Sequence, residues 1–251
     1  ARLGAGPPRD EGRRLMESLR GQHVLVTGAG GALGASVCAA LVASGARVTA
    51  ADLRRTTLDA LRADLGQPDR LAVAEADVTS TANLDALFDA VERGTGPVDA
   101  VVHCVGGYAG GSLAETDDAA LDRMMQLNFF AAARVLRASL RRMLPRGAGR
   151  VVVVCGLAAE RPSPGAAAYG ASKAALAHLV GSAAAEAHGR GVTVNAVMPG
   201  MMDTAANRAA MPGADAARWV PTMTVAKTIA ALLGPGGDGV TGTLARLPDR
   251  S

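Results

Sequence analysis

The chain has 251 residues, 49% of them apolar, and carries 26 Lys or Arg against 23 Asp or Glu, for a net charge of +3. This length suits one large domain or two small ones, with a core of Ala, Val, Leu and Met because only one Trp, two Tyr and three Phe are present. The basic residues are scattered, so the charge does not indicate a nucleic-acid partner. No apolar run approaches the roughly 18 to 20 residues that cross a bilayer, so we expect no membrane partner.

The three cysteines, Cys38, Cys104 and Cys155, occur singly in apolar surroundings. Their number and spacing give neither a disulfide framework nor a set of metal ligands, so we expect no metal site. No signal-peptide pattern is visible either. Together these features predict a reduced, cytoplasmic setting.

Strands and helices alternate along most of the sequence. Residues 1–20 are rich in Gly, Pro and Arg and predict a mobile N-terminal tail before one domain of residues 21–251. Seven apolar runs predict strands at Val24–Val26, Arg47–Ala51, Leu71–Glu75, Ala100–Val105, Val151–Cys155, Thr193–Val197 and Gly242–Leu247. Six stretches predict helices at Ala35–Ser44, Arg55–Leu65, Leu84–Arg93, Ala119–Met143, Ala167–His188 and Val225–Leu233. Strands that are continuously apolar, with helices between them, predict an α/β fold: a doubly wound, Rossmann-type, seven-stranded and mostly parallel sheet with helices on both faces.

The first strand runs into a glycine-dense turn, Thr27-Gly28-Ala29-Gly30-Gly31-Ala32-Leu33-Gly34, and then into a helix. Glycines let the backbone turn tightly and approach a phosphate, and a helix start offers unpaired N–H groups and the positive end of its dipole. The turn therefore predicts a dinucleotide pyrophosphate site formed by Gly28, Gly30, Gly31, Leu33 and Gly34. The alternative is a tight turn that binds no ligand.

Candidate cofactor contacts follow at the carboxyl ends of the next strands, where ligands bind in doubly wound sheets. Asp52 lies about 20 residues beyond the turn, where a carboxylate accepts hydrogen bonds from an adenosine ribose. Such a carboxylate favours NAD(H) over NADP(H), although the adjacent Arg54 and Arg55 could hold a 2′-phosphate; alternatively, Asp52 only opens a turn. Asp77 and Val78 follow the third strand and are expected to contact the adenine. Gly106 and Gly107 follow the fourth strand, where small residues would let a flat ring approach the backbone.

The predicted chemistry resides in Tyr169-Gly170-Ala171-Ser172-Lys173. On a helix, Tyr169 and Lys173 are four residues apart and project from the same face. A phenol has an unperturbed pKa of about 10, and a neighbouring ammonium lowers it, which would make Tyr169 a usable acid or base at neutral pH.

From about residue 19 to 247, the chain resembles a short-chain dehydrogenase/reductase. It shares the Thr-Gly-rich turn, Asn128 in the long fourth helix, Tyr169 with Lys173, and Pro199-Gly200 followed by Thr204. The resemblance implies that Tyr169 exchanges the proton with the substrate and that Lys173 binds the nicotinamide ribose. It further implies that Asn128 holds a water in the proton relay and that Pro199, Gly200 and Thr204 lie at the nicotinamide. The alternative for Asn128 is a helix residue that bonds to backbone.

The chain departs from the family pattern at three places. One turn glycine is Ala32, the usual Asn-Asn-Ala-Gly is His103-Cys104-Val105-Gly106, and the usual catalytic serine is Gly156. Losing one hydrogen-bond donor to the reacting oxygen typically costs roughly 10²- to 10³-fold in rate. Either the substrate needs a single proton donor, or it brings its own polar group, or the protein binds nucleotide with little turnover.

A narrower resemblance favours a substrate that needs a single proton donor. The loop Gly106-Gly-Tyr-Ala-Gly-Gly111 is similar to a glycine-aromatic loop of dihydropteridine reductases, which also lack the serine. The segment from Asp203 through Trp219 to Pro221 follows their pattern as well. Their substrate is an activated, electron-poor ring that accepts hydride readily. Tyr108, Gly156 and Trp219 are therefore candidate substrate contacts; alternatively, Tyr108 merely closes its loop and Trp219 is a packing residue.

We therefore predict an NADH-preferring reductase of an activated planar small molecule, with Tyr169 as proton donor and NADPH as a possible cofactor. The alternatives are a general carbonyl or 3-oxoacyl reductase of the same family and a nucleotide-binding protein without turnover. The family's assembly through its long helices, together with Ala and Leu on several faces of the fourth and fifth helices, predicts a homodimer or homotetramer.

Overall fold

Residues 18–66 and 69–250 are described by a computed structural model of the chain. Their strands are β1 His23–Thr27, β2 Arg47–Asp52, β3 Leu71–Glu75, β4 Ala100–His103, β5 Gly149–Val154, β6 Val192–Pro199, β7 Met202–Asp203, β8 Val220–Pro221 and β9 Leu244–Leu247. Their α-helices are α1 Ala32–Ala43, α2 Arg55–Leu65, α3 Thr81–Thr95, α4 Asp118–Met125, α5 Ala131–Arg146, α6 Ala167–Ala187, α7 Ala205–Ala210 and α8 Thr222–Leu233.

The main sheet has seven strands in the order β3-β2-β1-β4-β5-β6-β9, and all six pairings are parallel. Strand order reverses between β1 and β4, where the register pairs Thr27 with His103. The carboxyl ends of these two strands therefore open a crevice, which is the usual ligand position in such sheets. The predicted doubly wound α/β fold is confirmed, and the main sheet is parallel throughout.

Two apolar layers cover the sheet. One packs α3, α5 and α6 on one face, with Phe88, Leu136 and Leu176 fully or almost fully buried. The other packs α1, α2 and α8 on the opposite face, with Leu41, Leu58 and Ile229 buried. Each layer is composed largely of Ala, Val and Leu, as the low aromatic content requires.

The long predicted helix at Ala119–Met143 is interrupted. A π-helical segment, Gln126–Phe130, separates α4 from α5 and contains the fully buried Asn128. π-segments inside helices frequently mark functional sites. Apolar periodicity runs through such an interruption without a break, so the sequence pattern could not reveal it.

The predicted tail of residues 1–20 lies outside the described residues except for residues 18–20. Of these, Leu19 is fully buried, its N–H donates to Ser44, and its carbonyl accepts from Gln22. The packed structure thus begins before the predicted boundary at residue 21. Among the helices that the structure describes, none is long and apolar enough to cross a membrane.

Candidate active site

The turn after β1 packs tightly against its neighbours, which explains its glycines. Gly28 has φ +75°, and a β-carbon there would lie 2.8 Å from the Val105 amide nitrogen. A β-carbon on Gly30 would collide with the Thr57 side chain, and one on Gly34 with the Gly28 carbonyl. Gly31 caps α1 without a side-chain hydrogen bond. The first amides of α1, including that of Leu33, therefore stand at a compact, glycine-lined turn suited to a phosphate group.

Asp52 ends β2 beside this turn. Its carboxylate accepts hydrogen bonds from the Gly30 amide at 2.9 Å and the Arg54 amide at 3.2 Å, so its position relative to the turn is fixed. Arg55 is ion-paired with Asp59 at 2.8 Å on the surface of α2. The structure thus places an acidic group at the edge of the turn, where the sequence predicts the ribose site.

The loop after β3 holds the predicted adenine contacts. Asp77 accepts hydrogen bonds from the backbone and hydroxyl of Thr79, which lower the pKa of its carboxyl. Val78 is buried. Asp77 and Leu53 also line an open cavity of about 530 Å³ between β3 and α3. A flat apolar ring system has room at this end of the crevice.

Asn128 fastens the loop after β4 to the long helices. Its side chain accepts from the Gly107 amide at 2.9 Å and donates to the Gly107 carbonyl at 3.0 Å and to Ser172 Oγ at 3.1 Å. Ser172 Oγ in turn donates to the Tyr169 carbonyl at 2.7 Å. A β-carbon on Gly106 would lie 2.9 Å from Asn128 Oδ1 and 3.3 Å from Lys173 Nζ. Asn128 therefore holds Gly106–Gly107 against the helix that carries Tyr169 and Lys173.

Tyr169 and Lys173 project from one face of α6 toward the end of β5. Lys173 is 4% exposed, and its Nζ donates to the Val154 carbonyl at 3.1 Å and lies 5.9 Å from the Tyr169 ring centroid. Burial lowers the pKa of Lys173 to about 8. Burial, together with the nearby Cys155 and Tyr108, raises the pKa of Tyr169 to about 12. The expected lowering of the tyrosine pKa by the lysine does not appear in this arrangement, where desolvation has the largest effect on the phenol.

Gly156 faces the Tyr169 hydroxyl. A β-carbon on it would lie 3.1 Å from Tyr169 Oη and 3.8 Å from the Pro199 carbonyl oxygen. Its φ of 161° is extended and open to any residue. A side chain at position 156 would therefore crowd the Tyr169 hydroxyl.

Tyr108 lies beside Tyr169, with ring centroids 5.2 Å apart in an edge-to-face arrangement. A β-carbon on Gly110 would lie 2.8 Å from the Tyr108 hydroxyl, so the ring is folded closely over its own loop. Even so, 66% of Tyr108 is exposed, which leaves an aromatic surface next to the Tyr169 hydroxyl.

The predicted nicotinamide contacts lie where β6 ends. Pro199 is the last residue of β6, the Gly200 amide donates to the Leu247 carbonyl at 2.8 Å, and Thr204 caps α7 by accepting from the Asn207 amide. The following segment, residues 202–221, is called the lid here; β7 and β8 join its two ends. Trp219 in the lid is only 6% exposed and is packed into the protein.

Two buried groups at the site carry no role in the sequence prediction. Ser172 links Asn128 to the Tyr169 backbone. Its position directly before Lys173 is the feature of the sequence that could have indicated a role at the site. His103 is fully buried, bonds through Nδ1 to Thr27 Oγ1 at 2.8 Å, and has no partner at Nε2. Burial and the Lys173 charge lower the pKa of His103 to about 3, so its ring is neutral. Within residues 18–66 and 69–250, no group of three or more His, Cys, Asp or Glu side chains is arranged to hold a metal.

Comparison with known proteins identifies the family. The profile of the short chain dehydrogenase family matches residues 22–214. Over 214 residues the chain is 31% identical to 2-(S)-hydroxypropyl-CoM dehydrogenase 3 of Xanthobacter autotrophicus, a match that covers 85% of this chain and 84% of that protein. An NAD⁺-bound xylitol dehydrogenase superposes with a TM-score of 0.84 at 26% identity, covering 92% of this chain and 98% of the other. A variant of actinorhodin polyketide ketoreductase with NADPH superposes with a TM-score of 0.85 at 28% identity, covering 91% and 96%.

The chain belongs to the short-chain dehydrogenase/reductase family and is an oxidoreductase of the type that uses a nicotinamide cofactor. Three features fit such a dinucleotide. The turn after β1 has no space for side chains at Gly28, Gly30 and Gly34, α1 begins without a side-chain cap, and the Asp52 carboxylate stands at the end of β2. None of the three proteins above is a dihydropteridine reductase, so that narrower resemblance stays a prediction.

Proposed function

We propose that this enzyme reduces an activated, planar, conjugated small molecule with NADH, and that Tyr169 donates the proton. The observation that carries the proposal is the pairing of Tyr169 with Gly156: a half-buried phenol faces a residue that offers no second hydroxyl. Because a simple ketone gains much of its polarisation from two donors, a site with this pair suits a substrate that already accepts hydride readily.

The protonation state of Tyr169 supports the direction of reduction. A pKa of about 12 keeps the phenol protonated at neutral pH, so it is ready to donate to an oxygen or nitrogen that gains negative charge. Lys173, with a pKa of about 8, is mainly an ammonium at pH 7 and stabilises negative charge that develops on the phenol. Asn128, through Ser172, ties the helix that carries both side chains to the loop after β4.

When bound, a nicotinamide cofactor would supply the hydride. Asp52 is the residue that would accept hydrogen bonds from the adenosine ribose and disfavour a 2′-phosphate through like charge. On this basis we propose NADH as the preferred cofactor, with NADPH usable if Arg54 or Arg55 reorients.

The shape of the loop after β4 supports a flat substrate. Gly106, Gly110 and Gly111 are exposed, although Asn128 and Tyr108 fill the sides of Gly106 and Gly110 on which a β-carbon would stand. The exposed surface of Tyr108 lies beside Tyr169. Stacking of a planar substrate on Tyr108 then places its reacting atom near the phenol.

A second candidate is oxidation of a secondary alcohol or reduction of a simple ketone. The activities of similar proteins favour it, since these include a dehydrogenase of a hydroxypropyl compound, a xylitol dehydrogenase and a ketoreductase. In that case another group must replace the missing hydroxyl at position 156.

The deciding experiment follows NADH and NADPH oxidation with quinonoid dihydropterin beside a panel of ketones and 3-oxoacyl thioesters. We expect saturable turnover of the pterin with NADH and at least 100-fold lower kcat/KM on ketones. Tyr169→Phe should lower kcat at least 100-fold while changing the NADH dissociation constant less than threefold. Tyr108→Phe removes the other phenol hydroxyl of the chain and is the matched control; it should keep most of kcat. Turnover of ketones alone would assign the second function, and full activity of Tyr169→Phe would refute Tyr169 as the proton donor.

We also propose that the protein works in the cytoplasm as a homodimer or homotetramer, assembled through the outer faces of α5 and α6. Sedimentation equilibrium measures the mass directly, and a monomer of 25.2 kDa would contradict this assembly.

A further inference from the structure

The last residues of the described chain reach back to the lid. The Arg250 amide donates to the Arg218 carbonyl at 2.7 Å, near the end of the lid. Asp249 Oδ1 accepts from the Met201 amide at 2.8 Å, just before the lid begins. Residues 247–250, called the C-terminal strap here, therefore hold both ends of the lid at once.

The fit between Asp249 and the loop after β6 is close. A β-carbon on Gly200 would collide with the Asp249 carboxylate, so the glycine makes room for this contact. The Met201 carbonyl is also engaged, because it accepts from the Val220 amide at 2.7 Å. Both polar groups of the Met201 backbone are thus fixed, one by the strap and the other by β8.

This loop borders the reacting group. The Pro199 carbonyl lies 3.8 Å from the point where a Gly156 β-carbon would be, and Tyr169 Oη lies 3.1 Å from the same point. A shift of the Gly200–Met201 peptide is transmitted to Pro199 through one residue. The carboxylate of Asp249 therefore acts at a distance on the edge of the site that faces the Tyr169 hydroxyl.

We propose that Asp249 is a positioning residue: its carboxylate fixes the Gly200–Met201 peptide, and with the strap it holds the lid in the geometry that binds cofactor and substrate. A hydrogen bond to a charged acceptor is among the stronger kinds, so its loss frees the loop measurably even at the surface. A charge interaction also connects the strap with the lid: Arg208 and, from the strap, Arg250 lower the pKa of the Asp203 carboxyl at the start of the lid.

The test compares three variants by hydrogen–deuterium exchange, which needs no activity and is independent of the substrate. Asp249→Ala removes the acceptor, Asp249→Asn keeps an oxygen in the same place, and Asp238→Ala is the control. Asp238 is another exposed acid late in the chain, but it pairs with Arg150 at the start of β5.

We expect Asp249→Ala to speed exchange of the amides of residues 200–203 and 218–220 at least tenfold, with exchange in β1 and β4 unchanged. The dissociation constant for NADH and the KM for any substrate turned over should rise about tenfold, with kcat altered less than threefold. Asp249→Asn should bring all three readouts within about threefold of the unaltered enzyme, and Asp238→Ala should leave the lid unchanged. Wild-type exchange rates in Asp249→Ala, faster exchange spread over the whole sheet, or failure of Asp249→Asn to restore slow exchange would each overturn the proposal.

Discussion

Replacing Gly156 by Ser tests what the missing hydroxyl does. The backbone at Gly156 is extended, so a side chain is allowed, and its β-carbon would lie 3.1 Å from Tyr169 Oη. That separation is tighter than an ordinary contact, so the Tyr169 hydroxyl must move by a few tenths of an ångström. Gly156→Ala imposes the same crowding without a hydroxyl and is the matched control.

The hydroxyl and the crowding act in opposite directions on a simple ketone. A well-placed donor to the developing oxyanion is worth roughly 10²- to 10³-fold in kcat, and part of this is lost when the phenol is displaced. We therefore expect Gly156→Ser to exceed Gly156→Ala in kcat/KM on ketones by about 10- to 100-fold, or about 1.4 to 2.7 kcal/mol of transition-state stabilisation. On a planar substrate that uses the open space, both variants should lose activity by similar factors.

The assay is initial-rate NADH oxidation by the two variants and the unaltered enzyme on the same ketone panel and on quinonoid dihydropterin. Circular dichroism melting confirms that all three are folded. Equal kcat/KM of the Ser and Ala variants on every ketone would refute the reasoning, because it would show that a hydroxyl at position 156 does not reach the reacting oxygen.

Two further predictions concern the cofactor and acid stability. Asp52→Ala should reduce the ratio of NADPH to NADH dissociation constants at least tenfold, since it removes an acceptor for the ribose and a like charge facing a 2′-phosphate. Asp64→Ala, an exposed acid near the end of the same helix α2, is the control, and an unchanged ratio in Asp52→Ala would contradict the ribose role. Burial lowers the pKa of His103 to about 3, so the unfolded chain binds this proton first as pH falls below about 6.5, and stability present above that pH is lost on acidification. Between pH 6 and 4, the free energy of unfolding of His103→Asn should fall less steeply than that of the unaltered protein, by about 1.4 kcal/mol per pH unit. Denaturant titrations measure both slopes, and parallel slopes would be evidence against a buried neutral histidine.

Most of the fold could be predicted from the sequence because apolar runs and amphipathic stretches alternate clearly. The helix at Arg55–Leu65 and the strand at Leu71–Glu75 agree with the prediction at both ends. The π-segment at Gln126–Phe130 and the short elements of the lid could not be predicted, since they depend on tertiary contacts rather than on periodicity. One of these contacts is the bond between the Gly107 amide and Asn128.

The site shows the same division between local and long-range information. The spacing of Tyr169 and Lys173 places both side chains on one helical face, and the structure has them there. The bond between Asp249 and the Met201 amide joins residues 48 positions apart, and no sequence spacing encodes it. Gly200 is the residue whose type could have indicated this contact, because a glycine in or next to a strand often marks the close approach of another group.

The tyrosine pKa shows why residue type and spacing do not fix chemistry. A lysine four residues away favours the phenolate only if its charge is close and the phenol is well solvated. Here Nζ is held by the Val154 carbonyl, 5.9 Å from the ring centroid, and the phenol is half-buried beside Cys155 and Tyr108. Desolvation therefore dominates, and the phenol stays protonated at neutral pH. A protonated phenol is the form that the proposed reduction requires of Tyr169.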